Sequence, residues 1–145
     1  MFRRIIIGVI FAVGCFGTIR TNAQSIEESC DIISNQILNK QYHSFSLSGD
    51  GYFSYVWTDQ KGSETRIKID LTQITISKDV SSDISKVWIN CLDAANCIVE
   101  QGKVGEDEQY YAEYSKTYLP TKDTEGMNAV YLQLEYLLKL SNEIR

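Results

Sequence analysis

One histidine, one proline and two methionines are all that this 145-residue chain holds of those residue types. The single His43 leaves little for imidazole chemistry. A nucleophile, base and orienting acid would all have to assemble around it, and a zinc site would lack a second histidine. No H-E-x-x-H sequence and no glycine-rich phosphate loop occur. No apolar run reaches the roughly 20 residues of a membrane-spanning helix. One proline and no low-complexity stretch leave little room for a linker. These absences put catalysis behind a binding role and lead us to expect no cofactor and no metal.

What is present begins with Met1-Phe2-Arg3-Arg4, then an almost purely apolar run from Ile5 to Gly17, then polar residues ending Thr21-Asn22-Ala23-Gln24. A basic start, a short apolar stretch and a small-residue junction are the three parts of a secretory signal. Thr21 and Ala23 fit the small −3 and −1 pockets of a signal peptidase, which places the cut between Ala23 and Gln24. The arrangement resembles bacterial secretory signals. A lipoprotein signal is the alternative, because Ala12-Val13-Gly14 precede Cys15, although leucine is the usual residue at −3. The expected location is periplasmic or secreted, or membrane-tethered through Cys15.

Residues 24–145 then form a single domain, large enough for one core and too small for two. They carry 11 basic and 19 acidic residues, a net charge of −8. Such a surface repels phosphate backbones, so nucleic acid is not an expected partner. It also opposes docking on anionic lipid.

Ser25-Ile26-Glu27-Glu28 is a capping box. Ile26, Cys30, Ile33 and Ile37 follow at helical spacing. A helix from Ser25 to Asn39 is therefore predicted, starting where the signal would end. From Tyr42 the period becomes two. Phe45 and Leu47 alternate with serines, and Phe53, Tyr55 and Trp57 share a face after the turn Gly49-Asp50-Gly51. Ile67, Ile69 and Leu71 alternate with Arg66, Lys68 and Asp70. Ile74 and Ile76 continue with the phase shifted by one, which requires a bulge or tight corner at Thr72-Gln73. Val87, Ile89 and Cys91 mark another strand, and Cys97-Ile98-Val99 its return. Tyr110, Ala112 and Tyr114 open the last long strand, which is expected to end before Pro120. Met127, Val130, Tyr131, Leu134, Leu137 and Leu138 give a closing helix from about Thr124 to Ser141.

The order is an α+β fold: helix, about six or seven antiparallel strands in a bent sheet or partly open barrel, and a C-terminal helix packed on the sheet. From Tyr42 to Leu140 this resembles a pleckstrin-homology-like barrel, in element order, in Ile67-Lys68-Ile69-Asp70-Leu71, and in a Val87-to-Val99 hairpin followed by a helix. The first helix departs from that pattern, and a cystatin-like or other helix-on-sheet fold is the rival.

Cys91 and Cys97 flank a five-residue loop between two predicted strands. Facing residues at a hairpin mouth lie within disulfide reach, and an exported protein meets an oxidising compartment. A Cys91–Cys97 bridge is therefore expected, with Cys30 a buried thiol on the helix face. Glu106-Asp107-Glu108 could offer oxygens to a hard cation, but a solvated turn accounts for it. The aromatic residues stand out most. Tyr55, Trp57, Trp88 and Tyr111 are the candidate ligand contacts, able to stack on a sugar or accept a peptide. The expected function is a non-catalytic exported binding or interaction module for an unknown protein, peptide or glycan. The alternative is a periplasmic carrier of a small apolar ligand in a cavity lined by Tyr and Ile.

Overall fold

The computed structural model describes residues 24–81, 83–104 and 108–144, the side chains of Val104 and Glu108 aside. The expected export signal, its Ala23 junction and Cys15 lie outside the described residues, as do Glu106 and Asp107 of the acidic turn.

Among the described residues the fold is α+β: a helix, eight antiparallel strands in two sheets, and a long C-terminal helix. Helix α1 spans Ile26–Gln36. It starts where the capping box predicts, with the Ser25 hydroxyl accepting the Glu28 N–H at 3.0 Å. Its end comes three residues earlier than the apolar spacing suggests. Ile37 turns extended and bridges Thr121, and the Leu38 N–H donates to the Pro120 carbonyl. Ile37 stays in the core, so the stripe of Cys30, Ile33 and Ile37 is buried as its spacing implies.

Strands β1 (Tyr42–Leu47), β2 (Tyr52–Thr58) and β3 (Glu64–Asp70) form a meander. Gly51 (φ 86°) and Gly62 (φ 83°) close its two hairpins in the left-handed conformation that glycine adopts without strain. A 3-10 turn at Leu71–Gln73 follows, capped by Asp70, whose carboxylate accepts from the Thr72 N–H and hydroxyl. This is the corner that the phase shift at Thr72-Gln73 predicts. It lifts the chain out of the first sheet and into a second.

Strands β4 (Ile74–Val80) and β5 (Ser85–Cys91) begin that second sheet. The chain returns to the first with β6 (Ile98–Val104) and β7 (Glu108–Tyr114), then leaves again as β8 (Lys116–Thr121). The result is a five-stranded sheet, β1-β2-β3-β6-β7, and a three-stranded sheet, β4-β5-β8. Helix α2 (Thr124–Ile144) lies on the three-stranded sheet and against α1. It runs three residues past the predicted Ser141.

Two sequence expectations need correction. The stretch from Tyr110 toward Pro120 is two strands, broken at Ser115, and each belongs to a different sheet. Pro120 sits inside β8, paired with Lys86. It is tolerated there because β8 is an edge strand, where proline's missing N–H breaks no ladder. The Val87-to-Val99 hairpin does not form either. β5 pairs with β4 and β8, while β6 pairs with β3 and β7. Cys91 and Cys97 nevertheless stand in disulfide geometry, with Cα atoms 5.7 Å apart. They therefore join the end of one sheet to the start of the other instead of closing a hairpin mouth.

The core is continuous across both sheets. Phe53, Tyr55, Ile67, Ile69 and Ile98 come from the large sheet, and Ile74, Val87, Ile89 and Leu119 from the small one. Ile33, Val130, Leu134 and Leu137 cover them from the helices.

Candidate functional site

The four candidate aromatic side chains are not brought together. Tyr55 is 2% exposed and stacks against Phe45 in the core at 5.4 Å between centroids. Burial pushes its phenol pKa well up, although the Thr117 contact pulls the other way. Tyr55 is thus a core ring, with no surface to offer a ligand. Trp57 is half-buried on the same face of β2 and paired across strands with Tyr42. Tyr111 lies on the opposite face of the large sheet and is 58% exposed. Trp88 belongs to the other sheet.

The surroundings of Trp88 are the most organised polar and aromatic surface among the described residues. Strand register explains them. Along β5, Val87 and Ile89 point to α2 and the core, so Lys86, Trp88 and Asn90 point to solvent. Ser77 and Tyr118 pair directly with Trp88, Asp79 and Pro120 with Lys86, and Thr75 and Lys116 with Asn90. Directly paired residues share a face. Three strands therefore set nine residues on one face, with Trp88 at the centre.

Trp88 is held from several directions. Its indole N–H donates to the Asp79 carboxylate at 3.0 Å. Tyr118 meets it edge-on, centroids 5.2 Å apart at 66°. The Lys86 ammonium lies 4.9 Å from the Trp88 ring centre and 5.1 Å from that of Tyr118. Lys116 approaches the indole at 5.4 Å. Each cation–π contact contributes about 0.5–1 kcal/mol at an exposed site. Together they fix the ring in advance, which lowers the entropy a ligand would have to overcome. Lys86 reaches Asp79 at 3.9 Å, while Lys116 has no ion pair among the described residues. The face therefore carries two cations against one anion on a chain that is acidic overall.

The Tyr42 pKa is raised, first by burial and then by the neighbouring Tyr118. Farther out, the Tyr110 and Tyr114 hydroxyls share a hydrogen bond of 2.8 Å. That bond, with the Glu100 charge, raises the Tyr114 pKa to about 12.

His43 has its two ring nitrogens 2.8 Å from the Ser44 and Thr58 hydroxyls. A hydroxyl stands where a triad would place an orienting carboxylate. A groove of about 870 Å³ opens on the outer face of the large sheet, bordered by Val56, Arg66, Gln101, Lys103 and Tyr111. Its lining is mixed, with Arg66 and Lys103 set against Glu64. Among the described residues, no cluster of three metal-ligating side chains occurs, and no helix is long and apolar enough to cross a membrane.

Sequence reasoning found Trp88 but not Lys86, Lys116 or Asp79. The spacing that could have revealed them is Lys86-x-Trp88 beside Lys116-x-Tyr118, two strands with the same solvent-face pattern. Reading Tyr110 to Pro120 as one strand hid the second half of it. No protein-family profile, no curated protein and no solved structure matches this chain.

Proposed function

We propose that the protein is a non-catalytic binding module of the exported kind, and that its contact surface is the Trp88 face of the three-stranded sheet. The observation that carries this reading is the central indole, fixed by Asp79 and Tyr118 and flanked by Lys86 and Lys116. A pre-positioned Trp–Tyr pair gives flat apolar contact area at low entropic cost. The two ammonium groups favour a carboxylate beside it. The partner chemistry that fits is a peptide or glycan segment presenting a flat apolar group next to a negative charge. The acidic remainder of the surface disfavours partners that are negative along their whole length.

The test is calorimetric titration with two probes, a glutamate-containing aromatic peptide and an uncharged oligosaccharide. Binding of the peptide should fall at least about tenfold in Trp88→Ala, the scale of a central interface aromatic, and less in Lys116→Ala. Peptide binding that survives Trp88→Ala unchanged would remove the basis of the proposal.

A further inference from the structure

We propose that β7 is a self-association edge, and that its occupant is β7 of a second copy of this chain, paired antiparallel about Tyr111. Among the described residues the two sheets have four edge strands, and natural proteins protect such edges explicitly because unpaired N–H and C=O groups invite another strand. Three of the four carry a recognisable device. β1 has a bulge between His43 and Ser46, with Ser44 at φ 58°, and α1 packs beside it. β4 points Lys78 toward the helix side, where its ammonium donates to Asn128 at 3.1 Å and lies 5.1 Å from the Tyr131 ring centre. β8 carries Pro120 and is met at its C-terminal half by Ile37 and Leu38.

β7 has none of these. Its register with β6 runs without a shift from Glu108 to Tyr114, it contains neither proline nor lysine, and its charges are confined to Glu108 and Glu113, away from the central Tyr110-Tyr111-Ala112. Its other edge pairs with no described strand. Tyr111 is 58% and Tyr114 41% exposed. At Tyr114 the edge ends, because the Cys91 sulfur comes within 3.5 Å of the Tyr114 carbonyl and the Cys91 N–H donates to the Ser115 carbonyl. The open stretch is therefore centred on Tyr111.

A two-fold axis at Tyr111 gives a specific set of cross-strand pairs: Tyr111 with Tyr111 of the second copy, Tyr110 with Ala112, and Gln109 with Glu113. No like charges face each other in that stretch. An aromatic pair stands at the centre, and an amide meets a carboxylate on either side, both favourable sheet pairings. Tyr111 and Glu113 already share a face, the tyrosine hydroxyl donating to the carboxylate at 2.8 Å. Such pairing is isologous and closes as a dimer, joining two five-stranded sheets edge to edge. The net charge of each copy opposes the approach, so added salt should tighten the dimer by screening.

Sedimentation equilibrium of the purified protein across a wide concentration range, at low and high salt, tests this. The expected result is a mass that rises to twice that of one chain and does so at lower concentration in high salt. Tyr111→Lys should abolish the rise while leaving the melting curve unchanged at concentrations where the protein is a single chain, since the side chain is exposed. Tyr111→Cys should form an interchain disulfide under mild oxidation, because that residue faces its own copy. A mass of one chain at every concentration would overturn the proposal. So would a dimer that persists in Tyr111→Lys, or a Tyr111→Cys dimer that fails to cross-link.

Discussion

The β2–β3 meander and the β6–β7 ribbon belong to one sheet but are stabilised in different ways. β2 and β3 bury Phe53, Tyr55, Ile67 and Ile69 against the helices and the second sheet. The ribbon buries Ile98 alone among its described side chains. It holds together through cross-strand contacts of its own. Tyr110 pairs with Gly102 and lies over it, 3.6 Å from where a Cβ would stand. The Thr65 hydroxyl is 3.1 Å from the same point, so a side chain at position 102 would press on Thr65 while meeting Tyr110 in ordinary contact. One sheet thus has a buried, stabilising half and an exposed half whose residues are available for contact. Segments with few buried apolar contacts open at lower free energy than the core they extend.

The largest effect that would break this contrast is a core truncation. Phe53→Ala, at a site with no exposure, should destabilise by about 3–5 kcal/mol. Tyr111→Ala in the ribbon should stay within about 0.5 kcal/mol. Urea melts of the two variants would show the difference, and equal midpoints would erase the distinction between the halves.

Removing the disulfide comes next. Replacing Cys91 and Cys97 together by serine opens a closure of sequence separation 6, worth about 2–3 kcal/mol on the chain-entropy account. Because the bridge ties β5 to the first residues before β6, hydrogen exchange should quicken in β6 and β7 more than in β2 and β3. A uniform loss of protection would mean that the bridge anchors nothing in particular.

Alkaline pH sharpens the picture of the covered half. Burial, and secondarily the Asp31 carboxylate, pushes the Cys30 thiol from 9.0 up to about 11. A folded pKa above the unfolded one means that the folded state holds the proton more tightly. The resulting stability is fully present below pH 9.0 and is lost as pH rises through about 11. Cys30→Ala should flatten that decline in a pH series of thermal melts, and an unchanged slope would exclude Cys30 as its source.

The smallest expected effect is at the Trp88 face. Asp79→Ala removes the acceptor of a half-buried indole N–H and should cost about 1 kcal/mol. It should also shift the Trp88 emission, since the ring loses one of its fixed contacts. A spectrum identical to that of the parent protein would show that the indole is not held by this bond.

How much of this was legible in the sequence depended on the range of the interaction. The start of α1 follows from Ser25 and Glu28, three residues apart, and the turn after β3 from a phase change between Leu71 and Ile74. Both are local. The break at Ser115 was not legible, because Tyr114 and Lys116 carry no turn chemistry. Tertiary pairing directs β7 to β6 and β8 to β5. The disulfide partners are legible by their spacing, but they bridge a crossing between the two sheets and not the hairpin mouth that the spacing suggests. The same limit applied to the site. Trp88 stood out as a strand aromatic, whereas its neighbours Asp79 and Lys116 become neighbours only through register.

The two tryptophans offer the most direct measurement. Their indole N–H resonances separate in a proton–nitrogen correlation spectrum, and Trp57 on β2 serves as the internal reference for Trp88 on β5. Titrating the protein with the glutamate-containing aromatic peptide should move the Trp88 indole signal in a saturable way and leave that of Trp57 in place. Movement of Trp57 alone, or no movement of Trp88 at any concentration, would contradict the assignment of the Trp88 face as the contact surface.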